Sequence, residues 1–269
     1  MKIPRIDLEE IALRNGISVP EVRQTIASIR KGTKRVHKKF SVKEDGMVLQ
    51  YTVSRHGVGG LNTYYGPFWQ FDFFVNDRWK KYSALVRGKL SADFTPEFEN
   101  PDRILLRIDS GCESSQKFGD LTCDCRDQLM LAMQEIAKVG EGIVINIPNQ
   151  DGRGMGNPFK LATLSLQEQL RLTTVEAASI LTNAGSIDKR TYSGVISILR
   201  FFQISQKCEI DLIGVMTNNP YKLPVFQENG YRTVARIPAV ISPTHHTRKH
   251  LESKQLYLGH QGLVSGEED

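Results

Sequence analysis

The chain has 269 residues, 40% hydrophobic and 24% charged, enough for one large domain with a substantial core or for one domain with a small appendage. No run of eighteen apolar residues occurs, which excludes a membrane-spanning helix, and four cysteines are too few for a disulfide framework at this length. The net charge of +5 originates in residues 1–45, where eleven Lys/Arg face six Asp/Glu, while the remainder balances at 24 against 24. The opening MKIPRIDLEE has neither an apolar signal core nor an Arg/Ser-rich amphipathic stretch, so a cytoplasmic location without membrane attachment is expected.

In chain order, Asp7 with Glu10 and Ser18 with Glu21 place capping signals before the apolar patterns Leu8, Ile11, Ala12 and Val19, Val22, Ile26, Ile29. Two short helices joined at Asn15-Gly16 are expected. Their outline resembles a helix-turn-helix, but no Arg/Asn-rich recognition face accompanies it, which argues against nucleic acid as a partner. The polar, basic stretch Gly32 to Asp45 reads as a linker, so residues 1–45 are expected to form a basic helical extension and residues 46–269 the main domain. From Met47 to Arg87 the runs MVLQYTV, FWQFDFFV and YSALVRG, punctuated by Gly57, Gly66 and Asn76-Asp77, read as antiparallel strands, and ILLRID at 104–109 as another. Helices and strands then alternate: a helix over Asp127–Val139, the strand GIVINI, helices at 159–172, 174–183 and 192–204, the strand IDLIGVM at 210–216, a helix start at Pro220, and the strand TVARIP at 233–238. The fold class is α/β, a mixed sheet with a β-rich entrance preceded by a short helical extension.

Cys112, Cys123 and Cys125 follow a strand in the segment SGCESSQKFGDLTCDC. Three thiolates from one loop leave a tetrahedral ion with an open corner, as in catalytic zinc sites, and such an ion lowers the pKa of bound water toward neutrality. On spacing alone the pattern also fits a redox trio or a structural site completed by a distant histidine. Cys208 reads as a small core residue. Asn149 to Gly156 joins a buried strand to a helix, so its glycines let backbone amides approach an anion while Arg153 supplies a charged fork. Thr217-Asn-Asn-Pro220 puts a hydroxyl and helix-start amides at another strand's carboxyl end, within reach of Lys222.

Arg107 to Cys112 and Phe118 to Leu129 closely resemble the zinc loop of GTP cyclohydrolase II, including the eleven-residue step between its first two ligands. Further blocks keep the family's order: Gln150 to Gly156, Thr174 to Ala177, Asp188 to Tyr192, Thr217 to Lys222, then His250-Leu and Gly259-His260. The resemblance covers roughly residues 50–265. It implies a zinc-dependent hydrolase that opens a nucleotide ring, GTP by default, with release of formate and pyrophosphate. It also implies Cys112, Cys123 and Cys125 as metal ligands, and Arg107, Gln128, Asp151, Gly152, Arg153, Thr174, Thr217 and Lys222 as substrate contacts. Asp188 is implied as proton acceptor and Arg190 as the group that handles the α-phosphate. Mg2+ would accompany the phosphates, and a homodimer is expected.

Several positions depart from the family pattern. Gly111 replaces the glutamate before the first cysteine, Asp151 replaces the glutamate of Gln-Glu-Gly-Arg, Leu164 stands for a tyrosine, and two extra residues precede Asp188. All touch the substrate rather than the metal, and the loss or shortening of an acid bears on which base is accepted, so a pyrimidine or other purine nucleotide, as in uracil catabolism or specialised metabolism, stays open as the substrate. A catalytically inactive nucleotide sensor is a third reading. The extension does not resemble the dihydroxybutanone phosphate synthase often fused to this enzyme. His37 and His56 read as lying in or near loops, and none of the six histidines is assigned as a ligand.

Overall fold

The structure, a computed structural model, describes residues 6–76, 81–99, 104–147, 150–183, 185–204, 212–231 and 233–264. The expectation for Cys208 lies outside these residues, as does the start of the 210–216 strand. α1 (Leu8–Asn15) and α2 (Val19–Gly32) begin where the capping signals place them. Asp7 accepts from the amides of Glu9 and Glu10, and Ser18 and Glu21 form a reciprocal capping box.

The stretch expected as a linker is largely a strand. β1 (Val36–Glu44) pairs antiparallel with β2 (Met47–Thr63), from Val36↔Arg55 to Glu44↔Met47. Val36, Phe40 and Val42 point inward, and the inward Lys38 lays its ammonium 4.5 Å from the centre of the Phe201 ring. β1 is the outermost strand of the sheet, where exposed lysines such as Lys39 and Lys43 discourage pairing with another molecule. A charge count therefore hid a two-residue period. His37 and His56, expected near loops, sit on β1 and β2.

β3 (Gly66–Val75) and β4 (Lys81–Arg87) continue the antiparallel meander, and β5 (Lys89–Leu90) pairs with β6 (Pro96–Glu97) in a separate ribbon. β7 (Ile104–Asp109), α3 (Glu113–Phe118), α4 (Cys125–Val139), β8 (Gly142–Asn146), α5 (Asp151–Gly154), α6 (Asn157–Leu170) and α7 (Thr174–Leu181) follow. α8 (Ser193–Phe201), β9 (Leu212–Met216), α9 (Pro224–Glu228), β10 (Thr233–Ile237) and α10 (Arg248–Leu258) complete the chain. The eight-stranded sheet runs β1-β2-β3-β4-β8-β7-β9-β10, antiparallel as far as the β4–β8 pair and parallel from β8 to β10.

The architecture is thus mixed α/β. β7 and β8 are almost continuously apolar because helices cover both faces. On one side, α8 is buried at every residue except Arg200, and Phe202 at its end meets Phe71 edge-on at 4.9 Å. On the other, Met133 and Ile136 of α4 pack with Phe68 and Val144. Among the described residues no helix is long and apolar enough to cross a membrane.

Candidate active site

The carboxyl ends of parallel strands are where an α/β sheet offers a crevice, and here β7, β8 and β9 all deliver loops to one cavity. β7 ends in buried Asp109, which accepts from the Gly111 amide (3.0 Å), from Gln116 Nε2 (2.9 Å) and from Asn146 Nδ2 (2.6 Å). One carboxylate therefore fixes the turn into Cys112, the helix after it and the end of β8. Gly111 sits at φ +61°, and a side chain there would meet Ile147 O at 3.0 Å and Asn146 Oδ1 at 3.1 Å. The family's glutamate does not fit this backbone without a shift.

Cys112 precedes α3, a helix not foreseen between the ligands, and Cys125 opens α4 two residues earlier than expected. Ser115 of α3 donates to Cys123 O (3.0 Å) and accepts from the Arg126 amide (3.1 Å), which stitches the two helices together. The three sulfurs lie within 4.8 Å of one another, with 3.8 Å between those of Cys112 and Cys123. A tetrahedral zinc with Zn–S bonds of about 2.3 Å requires sulfurs about 3.8 Å apart, so the donor set fits such an ion. Lys160 Nζ reaches Cys112 Sγ at 2.7 Å and supplies positive charge to offset the thiolates.

Around the sulfurs a buried polar network holds the expected substrate contacts. Arg107 donates to Met216 O (3.0 Å) and to Gln128 Oε1 (2.7 Å). Gln128 in turn donates to Asp124, only 1% exposed, whose other oxygen accepts from Lys254 Nζ of α10 at 2.9 Å. Lys222 is buried and donates to Ile108 O (3.0 Å), with burial and the charges of Arg107 and Arg190 holding its pKa well below the usual lysine value. Thr217 is pinned by its amide to Ile237 O (2.9 Å) and accepts from the Asn219 amide (3.0 Å).

Asp151 is buried and accepts from the Glu113 amide at 3.2 Å, and desolvation raises its carboxyl pKa. Gly152 follows it within α5. Arg153 donates to Thr174 Oγ1 (3.1 Å), while its Nη1 is buried without a partner among the described residues. Burial, with the Arg190 charge behind it, lowers the Arg153 guanidinium to about 10. Arg190 and Asp188 form a two-pronged ion pair, Nε to Oδ1 at 2.9 Å with Nη2 on Oδ2. Burial acts to raise the Asp188 carboxyl, but the Arg190 hydrogen bonds and charge outweigh it and leave the pKa below the ordinary value.

Two features bring this pair to Arg153. Gly154, at φ +86°, lies so close to the next loop that a Cβ would fall 2.7 Å from Lys189 C and 2.8 Å from Arg190 N. The Lys189 amide donates to Arg153 O at 2.9 Å. From the other side, Glu44 of β1 accepts from the amides of Tyr192 and Ser193, placing a carboxylate at the positive start of α8. The supposed linker therefore braces the segment that carries Asp188 and Arg190.

Arg107, Gln128, Asp151, Arg153, Thr174, Arg190, Thr217, Lys222 and the three cysteines line the cavity directly, and Asp188 reaches it through Arg190. Sequence reasoning missed Asp109, Asp124, Lys160 and Lys254. Asp109 and Asp124 flank the cysteines and invited notice, whereas the two lysines act across 48 and 130 residues of chain. His250, not assigned as a ligand from the sequence, comes within 4.8 Å of Cys123 and Asp124, and its buried Nε2 has no hydrogen-bond partner among the described residues.

A family model described as GTP cyclohydrolase II matches residues 58–238. GTP cyclohydrolase-2 of Picrophilus torridus is 32% identical over 195 residues, 72% of this chain and 92% of that protein. GTP cyclohydrolase-2 of Shewanella sediminis is 34% identical over 214 residues, 80% of this chain and 94% of that one. The monofunctional riboflavin biosynthesis protein RIBA 3, chloroplastic, of Arabidopsis thaliana is 32% identical over 222 residues, and the chain spans 39% of its length. With the match running from β2 through β10 and embracing all three cysteines, the chain belongs to the GTP cyclohydrolase II family of hydrolytic enzymes.

Proposed function

We propose that this enzyme opens the ring of a nucleotide by zinc-dependent hydrolysis, with GTP as the default substrate and formate and pyrophosphate as products. The observation that carries the reading is a single cavity holding three convergent thiols together with Arg153, Arg190 and Lys222. Zinc bound by Cys112, Cys123 and Cys125 supplies Lewis acidity and water activated near neutral pH. The chain's own residues do the rest. Arg107 and Gln128, locked to each other, present a rigid polar surface to the substrate. Arg153 Nη1, unpartnered among the described residues, and the Arg190 guanidinium donate to phosphate oxygens, and Asp188 holds Arg190 in its orientation. Lys222, disfavoured as a buried cation, gains most when an anion arrives. Mg2+, if bound, would help neutralise the substrate phosphates. Homodimerisation and a cytoplasmic location complete the proposal on the strength of family membership.

A second reading, the same chemistry on another nucleotide, is favoured by the backbone at Gly111, which takes the family's glutamate only with a shift, and by Asp151, whose carboxylate already accepts from the Glu113 amide. A buried group that pairs with a base edge discriminates strongly between bases, so its replacement bears on the choice of base. The test is a panel of purine and pyrimidine nucleoside tri- and monophosphates followed by ring absorbance, formate and pyrophosphate. Formate and pyrophosphate from GTP support the first reading, and ring opening of a pyrimidine nucleotide alone replaces it with the second. Binding with no turnover of any member of the panel contradicts both.

A further inference from the structure

The segment after β10 lies beyond the residues that the family model matches, yet it walls part of the cavity. Lys254 of α10 is anchored on Asp124 at 2.9 Å. Past the helix, the His260 amide donates to Lys254 O (3.4 Å) and the Gln261 amide to Asn218 O (3.2 Å). These bonds hold His260 between α10 and the loop after β9, where it lines the cavity.

Nδ1 of this ring is buried and has no hydrogen-bond partner among the described residues. A buried polar atom left unmatched is costly, and one beside a binding cavity points to a partner that arrives with the ligand. The charges nearby identify that partner. Burial first, then the positive charges of Lys254, Arg190 and Lys222, push the imidazole pKa down to about 3, so the ring is neutral and carries one N–H. With the proton on Nδ1 it donates into a region already rich in cations, where an anionic oxygen is the complementary acceptor.

We propose that His260 binds a phosphate group of the substrate and that α10 with the turn behind it completes the phosphate subsite. This rests on the reading of the cavity as a nucleotide site and adds to it a phosphate contact from the segment after β10.

Titration calorimetry on the full-length, reduced protein tests it with two probes, inorganic tripolyphosphate and guanosine. His260→Ala is expected to weaken tripolyphosphate binding about tenfold or more, the loss of one hydrogen bond to a charged group, with guanosine unaffected. His260→Asn, which keeps a side-chain N–H, is expected to restore most of the affinity, and thermal melts check that both variants are folded. Unchanged tripolyphosphate affinity in His260→Ala overturns the proposal, as does an equal loss for both probes or no tripolyphosphate binding by the wild type. Failure of the parent reading shows elsewhere, as absence of formate from GTP in the wild type, and leaves the tripolyphosphate result to be judged by itself.

Discussion

Replacing Gly154 with alanine tests how the phosphate-binding arginines are brought together. At φ +86° an L-residue is strained by about 1–2 kcal/mol. The added Cβ would also lie 2.7 Å from Lys189 C and 2.8 Å from Lys189 O and Arg190 N, all backbone atoms that cannot rotate aside. Overpacking of this kind costs about 1–3 kcal/mol, so the total is about 2–5 kcal/mol. For a domain of this size that corresponds to a fall in melting temperature of about 4–20 °C.

The cost falls on the contact that pins Arg153 O to the Lys189 amide, so Arg153 and Arg190 separate even where the chain stays folded. A displacement near 1 Å between groups that act together reduces turnover by about a hundredfold. Gly156→Ala is the control: its φ is +89°, but a Cβ there meets nothing closer than Pro158 Cδ at 3.7 Å. Thermal melts and formate release on both variants decide the matter. If Gly154→Ala melts and turns over like Gly156→Ala, the close approach of the two loops does not organise the site.

Three further substitutions follow from the polar network. Lys254→Met strands Asp124, 1% exposed, and is expected to destabilise the protein by about 3–5 kcal/mol in denaturant unfolding, with Lys254→Met/Asp124→Asn recovering part of the loss. Glu44→Gln removes the charge from the start of α8 and is expected to cost about 1 kcal/mol and to lower kcat, because the amides it holds lie two and three residues past Arg190. Restoring the family residue with Gly111→Glu is expected to destabilise the turn into Cys112, read as a lower melting temperature.

The sequence showed most clearly what short periods and strand ends encode. The apolar run of β8 announced a buried strand, and the loops after β7, β8 and β9 carried the residues that meet in the cavity. The spacing of Cys112, Cys123 and Cys125 was legible because metal ligands cluster along the chain. β1 was obscured by its lysines, which suit a solvent-facing edge yet resemble those of a linker. The brace from Glu44 to α8 spans 148 residues at Tyr192, and no local pattern encodes such a contact. Gly154 was visible as a glycine, but its need for close approach depends on where Lys189 comes to lie. The unpartnered nitrogens of His250 and His260 became apparent only once burial was known.

The central claim is that three sulfurs grip one zinc and leave a corner for chemistry, and X-ray absorption at the zinc edge of the freshly prepared, reduced protein tests it most directly. The account predicts three sulfur scatterers at about 2.3 Å and one lighter atom at about 2.0–2.2 Å. A shell of four sulfurs, drawing in Cys208 and closing the site, would contradict it, and so would stoichiometric zinc with no sulfur neighbours.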